Sequence, residues 1–184
     1  PVSDERILTE ALRIQPDKQP YTSELHLNQT AFIATLAQKL TRGAIIMIDY
    51  GFDEAQYYHP QRSMGTLIGH YRHHVVDDPF FWPGLMDLTC HVNFTAMAQA
   101  AVDNGLDLIG YTSQAHFLFN LGITEVLLAE HPDVNSKAYL QAASAMQKLV
   151  APHEMGELFK VIAMGKGVDV DWQGFANGDW CHKL

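Results

Sequence analysis

The sequence predicts an α/β fold, and specifically part of a larger sheet with flanking helices and one long functional loop. Three observations carry this expectation. Ala44-Ile45-Ile46-Met47-Ile48 is a continuous apolar run, too short for a typical helix and suited to a strand buried on both faces of a parallel sheet. Segments with helical periodicity precede and follow it, so helices and strands alternate. Only three strands are legible, fewer than a complete doubly wound sheet uses, so residues 1–184 read as a single partial domain.

Near the start, Ile7, Leu8 and Leu12 share one face of a short helix that ends before the polar stretch Gln15-Pro16-Asp17-Lys18-Gln19-Pro20. Asn28 is the expected N-cap of the next helix, in which Phe32, Ile33, Leu36 and Leu40 recur at helical spacing until Gly43. The apolar strand follows and closes at Asp49-Tyr50-Gly51. From residue 52 to 91 there is little periodicity and much Gly, Pro, His and aromatic, a connection long enough to suggest function.

Asn93 caps a helix carrying Phe94, Met97, Ala98, Ala101 and Val102, terminated by Asn104-Gly105. Leu106 to Thr112 is a second strand, and Phe117 to Leu121 and Val126 to Leu128 are short helices separated at Gly122. A longer helix places Tyr139, Ala142, Ala143, Met146, Leu149 and Val150 on one face and ends before Pro152. Phe159 to Met164 is the last strand, Gly165-Lys166-Gly167 a turn, and the Gly-rich acidic end is expected along the surface.

A net charge of -9 over 184 residues, with histidines counted neutral, repels duplex nucleic acid and favours a basic partner or simply solubility. Cys90 and Cys181 lie far apart and outside any Cys-x-x-Cys pair, as expected in a reducing compartment. No apolar run approaches the roughly 20 residues that cross a bilayer, and Pro1 to Arg6 is no signal peptide, so a soluble protein is expected. The start at Pro1, without methionine, fits a piece of a longer polypeptide.

Ligands of open α/β sheets bind outside the carboxyl ends of strands, which singles out Asp49, with Gly51 letting the backbone turn beside it. Asp49 capping the next turn is the alternative reading. His70, His73 and His74 with Asp77, Asp78, Asp87 and His91 suggest metal ligands, yet Pro79, Pro83 and Gly84 break the helices that would pair them, and no metal is expected. Gly-x-Ser-x-Gly, a P-loop and a Gly-x-Gly turn after an early strand are all missing from the sequence.

A more extended pattern runs through the chain. Asp49-Tyr50-Gly51, then Tyr58, Pro60 and Arg62, Gly65-Thr66-Leu67, His73, Asp78-Pro79, Pro83-Gly84, Asp87-Leu88-Thr89 and His91-Val92-Asn93-Phe94 resemble the signature of the MidA-like family. Gln114 with Phe117-Leu118 and Gly122-Ile123, Met155-Gly156-Glu157 with Phe159-Lys160-Val161, and Tyr21 with Ser23-Glu24 are similar to its other elements.

The resemblance implies the carboxyl-terminal half of a class I, Rossmann-like methyltransferase dependent on S-adenosylmethionine. It further implies methylation of a protein side chain, arginine, and a link to assembly of respiratory complex I, a subunit of which would be the substrate. The family's cofactor loop lies in an earlier half, so this chain alone is expected to be inactive.

Because the sulfonium is already activated, such an enzyme chiefly aligns the nucleophile and orients a guanidinium with carboxylates. Glu24, Asp49 and Asp87 are the catalytic candidates on this resemblance, with Tyr50, Gly51, Arg62, His73, His91 and Gln114 as pocket residues. Bonding of His91 to a backbone carbonyl and capping of a helix by Gln114 are the structural alternatives. A cytoplasmic location, or the mitochondrial matrix in a eukaryote, is expected, and exposed strand edges would make the isolated chain self-associate. A non-enzymatic assembly module and a metal-dependent hydrolase are the rival functions.

Overall fold

The computed structural model describes residues 2, 4–14 and 20–184, so most of the expected polar break at 15–20 lies outside the described residues. Helix α1 (Glu5–Ile14) buries no residue and is tied down by Arg13, whose guanidinium bridges Glu10 at 2.7 Å and Glu54 at 2.6 Å. Helix α2 (Leu27–Lys39) begins earlier than expected, with His26 rather than Asn28 at the N-cap. The reason is local: the His26 ring is bonded to the Tyr57 hydroxyl, and its carbonyl accepts from Gln29 N–H at 3.0 Å.

Strand β1 (Gly43–Phe52) follows, then α3 (Glu54–Tyr57) and three short strands, β2 (Ile68–Tyr71), β3 (His74–Val76) and β4 (Asp87–Thr89). The segment from 52 to 91 is therefore partly regular, its strands forming an antiparallel ribbon in the order β3-β2-β4. Arg72 and His73, at φ 47° and 66°, make the two-residue turn between β2 and β3. Both φ values are positive, as the favoured hairpin turns demand, although neither residue belongs to the usual Asn-Gly type of signal.

Strand β5 (Val92–Asn93) leads into α4 (Phe94–Asp103), where the Asn93 side chain accepts from Ala96 N–H as anticipated. Then come β6 (Asp107–Ser113), α5 (Gln114–Asn120), α6 (Ile123–Glu130), α7 (Lys137–Val150), α8 (Met155–Leu158) and β7 (Phe159–Lys166).

The main sheet has the order β5-β1-β7-β6, and β7 runs antiparallel to both β1 and β6. Strands β1 and β6 thus point the same way. Their carboxyl ends meet the start of β7 at one rim, where Tyr50 faces Phe159 and Ser113 faces Lys160. On one side of the sheet Ile45, Met47, Ile162 and Met164 pack against Ile33 and Ala37 of α2 and Phe94, Met97 and Ala101 of α4. On the other, Val161 and Ala163 meet Phe117, Trp172 and Phe175.

That second layer stops short of β1. Ile46 and Ile48 are 46% and 49% exposed, so β1 is not buried on both faces as its apolar run led us to expect. Among the described residues its outer edge is paired only at Gly51 and Phe52, with β5.

The glycine-rich tail departs from expectation as well. Phe175 enters the second core layer against Gly110, where any Cβ would collide with its ring. Further on, Trp180 N–H donates to Tyr111 O at 2.6 Å and Tyr111 N–H to Asp179 Oδ1 at 3.0 Å. The tail thereby covers the outer edge of β6, which would otherwise offer unpaired backbone groups.

A free β1 edge beside exposed Ile46 and Ile48 predicts self-association of the isolated chain. Light scattering should show dimers or larger species at micromolar concentration, and Ile48→Lys should return a monomer with an unchanged far-ultraviolet spectrum.

Candidate active site

At the rim where β1 ends, Glu24 is held from several directions. Its Oε1 accepts from the backbone N–H groups of Thr66 at 2.9 Å and Leu67 at 2.8 Å. Its Oε2 accepts from the Tyr57 hydroxyl at 2.9 Å and from Thr66 Oγ1 at 3.2 Å. Tyr57 is fully buried, and with its proton given to Glu24 its oxygen receives His26 Nε2–H at 2.8 Å. Thr66 Oγ1 in turn accepts from His91 N–H at 3.0 Å. Gly65 makes the approach possible: its φ of +75° suits glycine, and a Cβ there would strike the Glu24 carboxylate.

Burial alone would raise the Glu24 pKa, but the Thr66 and Leu67 amides, with the Tyr57 and Thr66 hydroxyls, outweigh it and hold the carboxyl below its ordinary value. Burial pushes the Tyr57 phenol far upward, so it remains a donor. The carboxylate therefore fastens residues 65–67 to the segment before α2, with both oxygens engaged by the chain itself.

His91 sits beside this clasp. Its ring meets Phe52 edge-on at 5.0 Å between centroids and Tyr50 at 6.2 Å. Its Nδ1 is buried without a hydrogen-bond partner among the described residues, so the alternative in which it bonds a backbone carbonyl is not what is seen. Burial and then the Arg62 charge lower its pKa, while Glu24 and Asp49 oppose them. The same two carboxylates, after burial, raise the Cys90 thiol. His91 and Cys90 thus lie within the fields of both acids.

Arg62 places its guanidinium 4.0 Å over the Phe52 ring, and Lys160, 9% exposed, lies 5.8 Å from the same ring. The Lys160 ammonium donates to the Glu157 carbonyl, and burial lowers its pKa.

Asp49 is exposed on the opposite face of β1 from Tyr50. Its Oδ1 accepts from Tyr50 N–H at 2.8 Å, and Oδ2 has no partner among the described residues. Tyr50 stacks on Phe159 at 3.9 Å. Gly51 is needed for packing rather than for a turn, because a Cβ would hit Val92 O and the Phe94 ring.

The remaining candidates lie apart from this cluster. Asp87 is exposed on β4, paired with His70 in the ribbon, and His73 forms the exposed ribbon turn. Gln114 is buried and donates to Leu149 O at 2.8 Å, fastening the end of α7; Ser113, not Gln114, caps α5. Among the described residues no three His, Cys, Asp or Glu side chains come together to hold a metal. Sequence reasoning missed the connecting roles of His26, Tyr57 and Thr66, for which the only signal was the spacing of Gly65-Thr66-Leu67 after Tyr57.

His26 and His91 both have pKa values lowered by burial from the ordinary 6.5, and Glu24 and Glu54 are lowered from 4.5. A lowered folded-state value means that the unfolded chain binds more protons, so stability is full above the unfolded value and falls as pH drops below it. Urea midpoints should therefore decline first below pH 6.5, through the histidines, and again below pH 4.5, through the glutamates. Glu24→Ala, which strands two backbone N–H groups and a phenol, should cost about 2–3 kcal/mol by denaturant unfolding.

Comparison with known proteins places this rim in a wider context. A family model described as "Putative S-adenosyl-L-methionine-dependent methyltransferase" matches residues 1–112. The protein arginine methyltransferase NDUFAF7, mitochondrial, of Danio rerio is 29% identical over 89% of this chain and 37% of its own length. That of Mus musculus is 31% identical over 82% and 33%.

Two crystal structures of superfamily members from Burkholderia thailandensis are each 48% identical and cover the whole chain. One, native, superposes with a TM-score of 0.93; the other, bound to S-adenosyl-homocysteine, with 0.92. The chain spans 49% and 47% of those two and about a third of the curated relatives. With more than half of its length matched by the family model and its fold shared throughout, the chain belongs to the S-adenosylmethionine-dependent methyltransferase family that includes these relatives.

Proposed function

We propose that this chain is the carboxyl-terminal portion of a methyltransferase that transfers a methyl group from S-adenosylmethionine to a protein side chain, arginine. The observation that carries the reading is Asp49: a carboxylate at the carboxyl end of a sheet strand, with one oxygen anchored by Tyr50 N–H and the other open. A guanidinium nitrogen held by that free oxygen would be aligned without any acid or base having to work hard.

Of the three acids suggested by sequence, Asp49 then carries substrate orientation. Glu24 is a positioning residue, since its lone pairs are taken by Thr66, Leu67 and Tyr57. Asp87, on the ribbon, would take part only if the ribbon folded over the rim. Tyr50 and Phe52, with the His91 ring against them, line the face of β1 opposite Asp49.

The cofactor's own cradle does not fit the residues present. Three helices start at this rim, and each is already capped by its own side chain: Asp53 on Gln56 N–H, Asn93 on Ala96 N–H and Ser113 on His116 N–H. No glycine-rich strand-to-helix turn is left to receive the cofactor's polar groups. Residues outside this chain would hold the cofactor, and the nucleophile would approach it from the Asp49 side.

The arginine acceptor is supported by the names of the Danio rerio and Mus musculus relatives, which are also called mitochondrial. The proposal extends, on the family resemblance, to the mitochondrial matrix in a eukaryote and to a complex I subunit as substrate. No helix among the described residues is long and apolar enough to cross a membrane.

Isothermal titration tests the reading. S-adenosylmethionine should bind a full-length protein and not this chain alone; binding by neither would leave a non-enzymatic assembly module. In the full-length protein Asp49→Asn should lower kcat/KM by about a hundredfold without moving the cofactor Kd.

A further inference from the structure

At the carboxyl end of β1 one charged side chain is held firmly in place and left without a partner. Arg62 follows α3 in a run of turns: its N–H donates to His59 O at 2.8 Å, its carbonyl accepts from Gly65 N–H at 3.2 Å, and the next residue, Ser63, accepts from Thr22 N–H at 2.9 Å. The Arg62 guanidinium is partly buried and lies 4.0 Å over the Phe52 ring. Stacking of this kind fixes the plane of the fork and leaves the N–H donors along its edge available. Among the described residues the side chain makes no ion pair and no hydrogen bond.

The neighbouring charges do not satisfy it. Glu24 shares its surroundings, since both groups act on the Tyr21 hydroxyl and the His91 ring, but the Glu24 oxygens already accept from Thr66, Leu67 and Tyr57. Asp49 lies on the other face of β1 and is bound to Tyr50 N–H. Lys160 also comes within 5.8 Å of the Phe52 ring, yet it is buried, donates to the Glu157 carbonyl and sits in the fields of Glu157 and Asp53. Arg62 is thus the cation of this cluster that can take an acceptor from outside.

A planar fork suits a planar, bidentate acceptor, and the field of Glu24 favours a singly charged one over a phosphate. Two participants in the proposed reaction carry a carboxylate: the cofactor at its amino-acid end, and a protein at any acidic side chain. The second fits better. The cofactor is held by residues outside this chain, whereas Arg62 is followed by apolar side chains open to a partner, Met64 at 80% exposure and Leu67 at 44%. Arginine beside aromatic and apolar surface is the composition of protein contacts.

We propose that Arg62, laid on Phe52, binds an acidic side chain of the protein being methylated. The proposal rests on the methyltransferase reading and deepens it, by naming the substrate class as a protein segment that carries Asp or Glu near the acceptor. Phe52 follows Asp49 by three residues on β1 and faces the other way, so that acid is separated from the acceptor arginine by several residues.

An arginine-centred peptide library with randomised flanks, incubated with the full-length protein and labelled S-adenosylmethionine, tests it. The methylated pool should be enriched about tenfold for Asp or Glu at one flanking position. Arg62→Gln should remove that preference and Arg62→Glu should reverse it to Lys or Arg at the same position, with cofactor Kd unchanged in both. Arg62→Lys keeps a cation over Phe52 and loses the fork; its preference should fall to about threefold, which preserves the test if the other two variants fold poorly.

No methylation of any peptide by the unaltered protein would count against the methyltransferase reading and take the proposal with it. Methylation without an acidic preference, or with one that none of the three variants changes, would overturn the role of Arg62 alone. So would a weakened cofactor Kd in Arg62→Gln with the peptide preference intact, since the guanidinium would then hold the carboxylate of the cofactor.

Discussion

Both oxygens of Glu24 are occupied by donors more than thirty residues further along the chain, and the candidate site depends on that attachment. Apart from it the stretch from Phe52 to His91 is held by β1 and β5, whose pairing is two residues long, and by scattered bonds such as Thr22 N–H to Ser63 O, the Tyr21 hydroxyl to His59 O and the Arg13–Glu54 ion pair. A carboxylate accepting charge-assisted bonds from two amides and a phenol is strong enough to hold an irregular segment against conformational entropy. Tyr57 and Thr66 extend the attachment to His26 and His91, so the segment before α2, the long connection and the entry to α4 are fixed as one unit.

This unit sits where the sheet directs it. Because β7 is antiparallel between β1 and β6, the carboxyl ends of two parallel strands and the start of a third share one rim. Asp49, Lys160 and Ser113 arrive there from different parts of the chain. The acid on β1 keeps one oxygen open, whereas the acid before α2 keeps none; similar carboxylates hence acquire different roles from the donors around them. The same rim leaves Ile46 and Ile48 uncovered, which is consistent with relatives about twice as long that share this half of their fold.

The strongly periodic elements were legible in the sequence. Asn93 at its cap, Gly105 at the end of α4 and the apolar run of β1 each have a local physical cause, and each element appears near its expected place. The family resemblance was carried by motifs in the long connection, and the comparisons bear it out. Harder to read were features set by contacts distant in sequence. His26 displaces Asn28 as the cap because its ring is bonded to Tyr57, and the tail is drawn inward because Gly110 leaves room for Phe175. The Arg72-His73 turn lacks a recognisable turn pair, and Gln114 reaches Leu149 rather than the rim. Covering of β1 on both faces was expected from its composition, but the second core layer extends only over β7 and β6.

Amide hydrogen exchange at Thr66, Leu67 and His91 tests the role of Glu24 most directly. Leu67 is 44% exposed and outside any strand, so its N–H has no reason to be protected other than the Glu24 carboxylate. Slow exchange at all three amides in the native chain, lost at Thr66 and Leu67 in Glu24→Ala while the β7 amides stay protected, is the predicted result. Exchange of Thr66 and Leu67 at unprotected rates in the native chain would contradict the account.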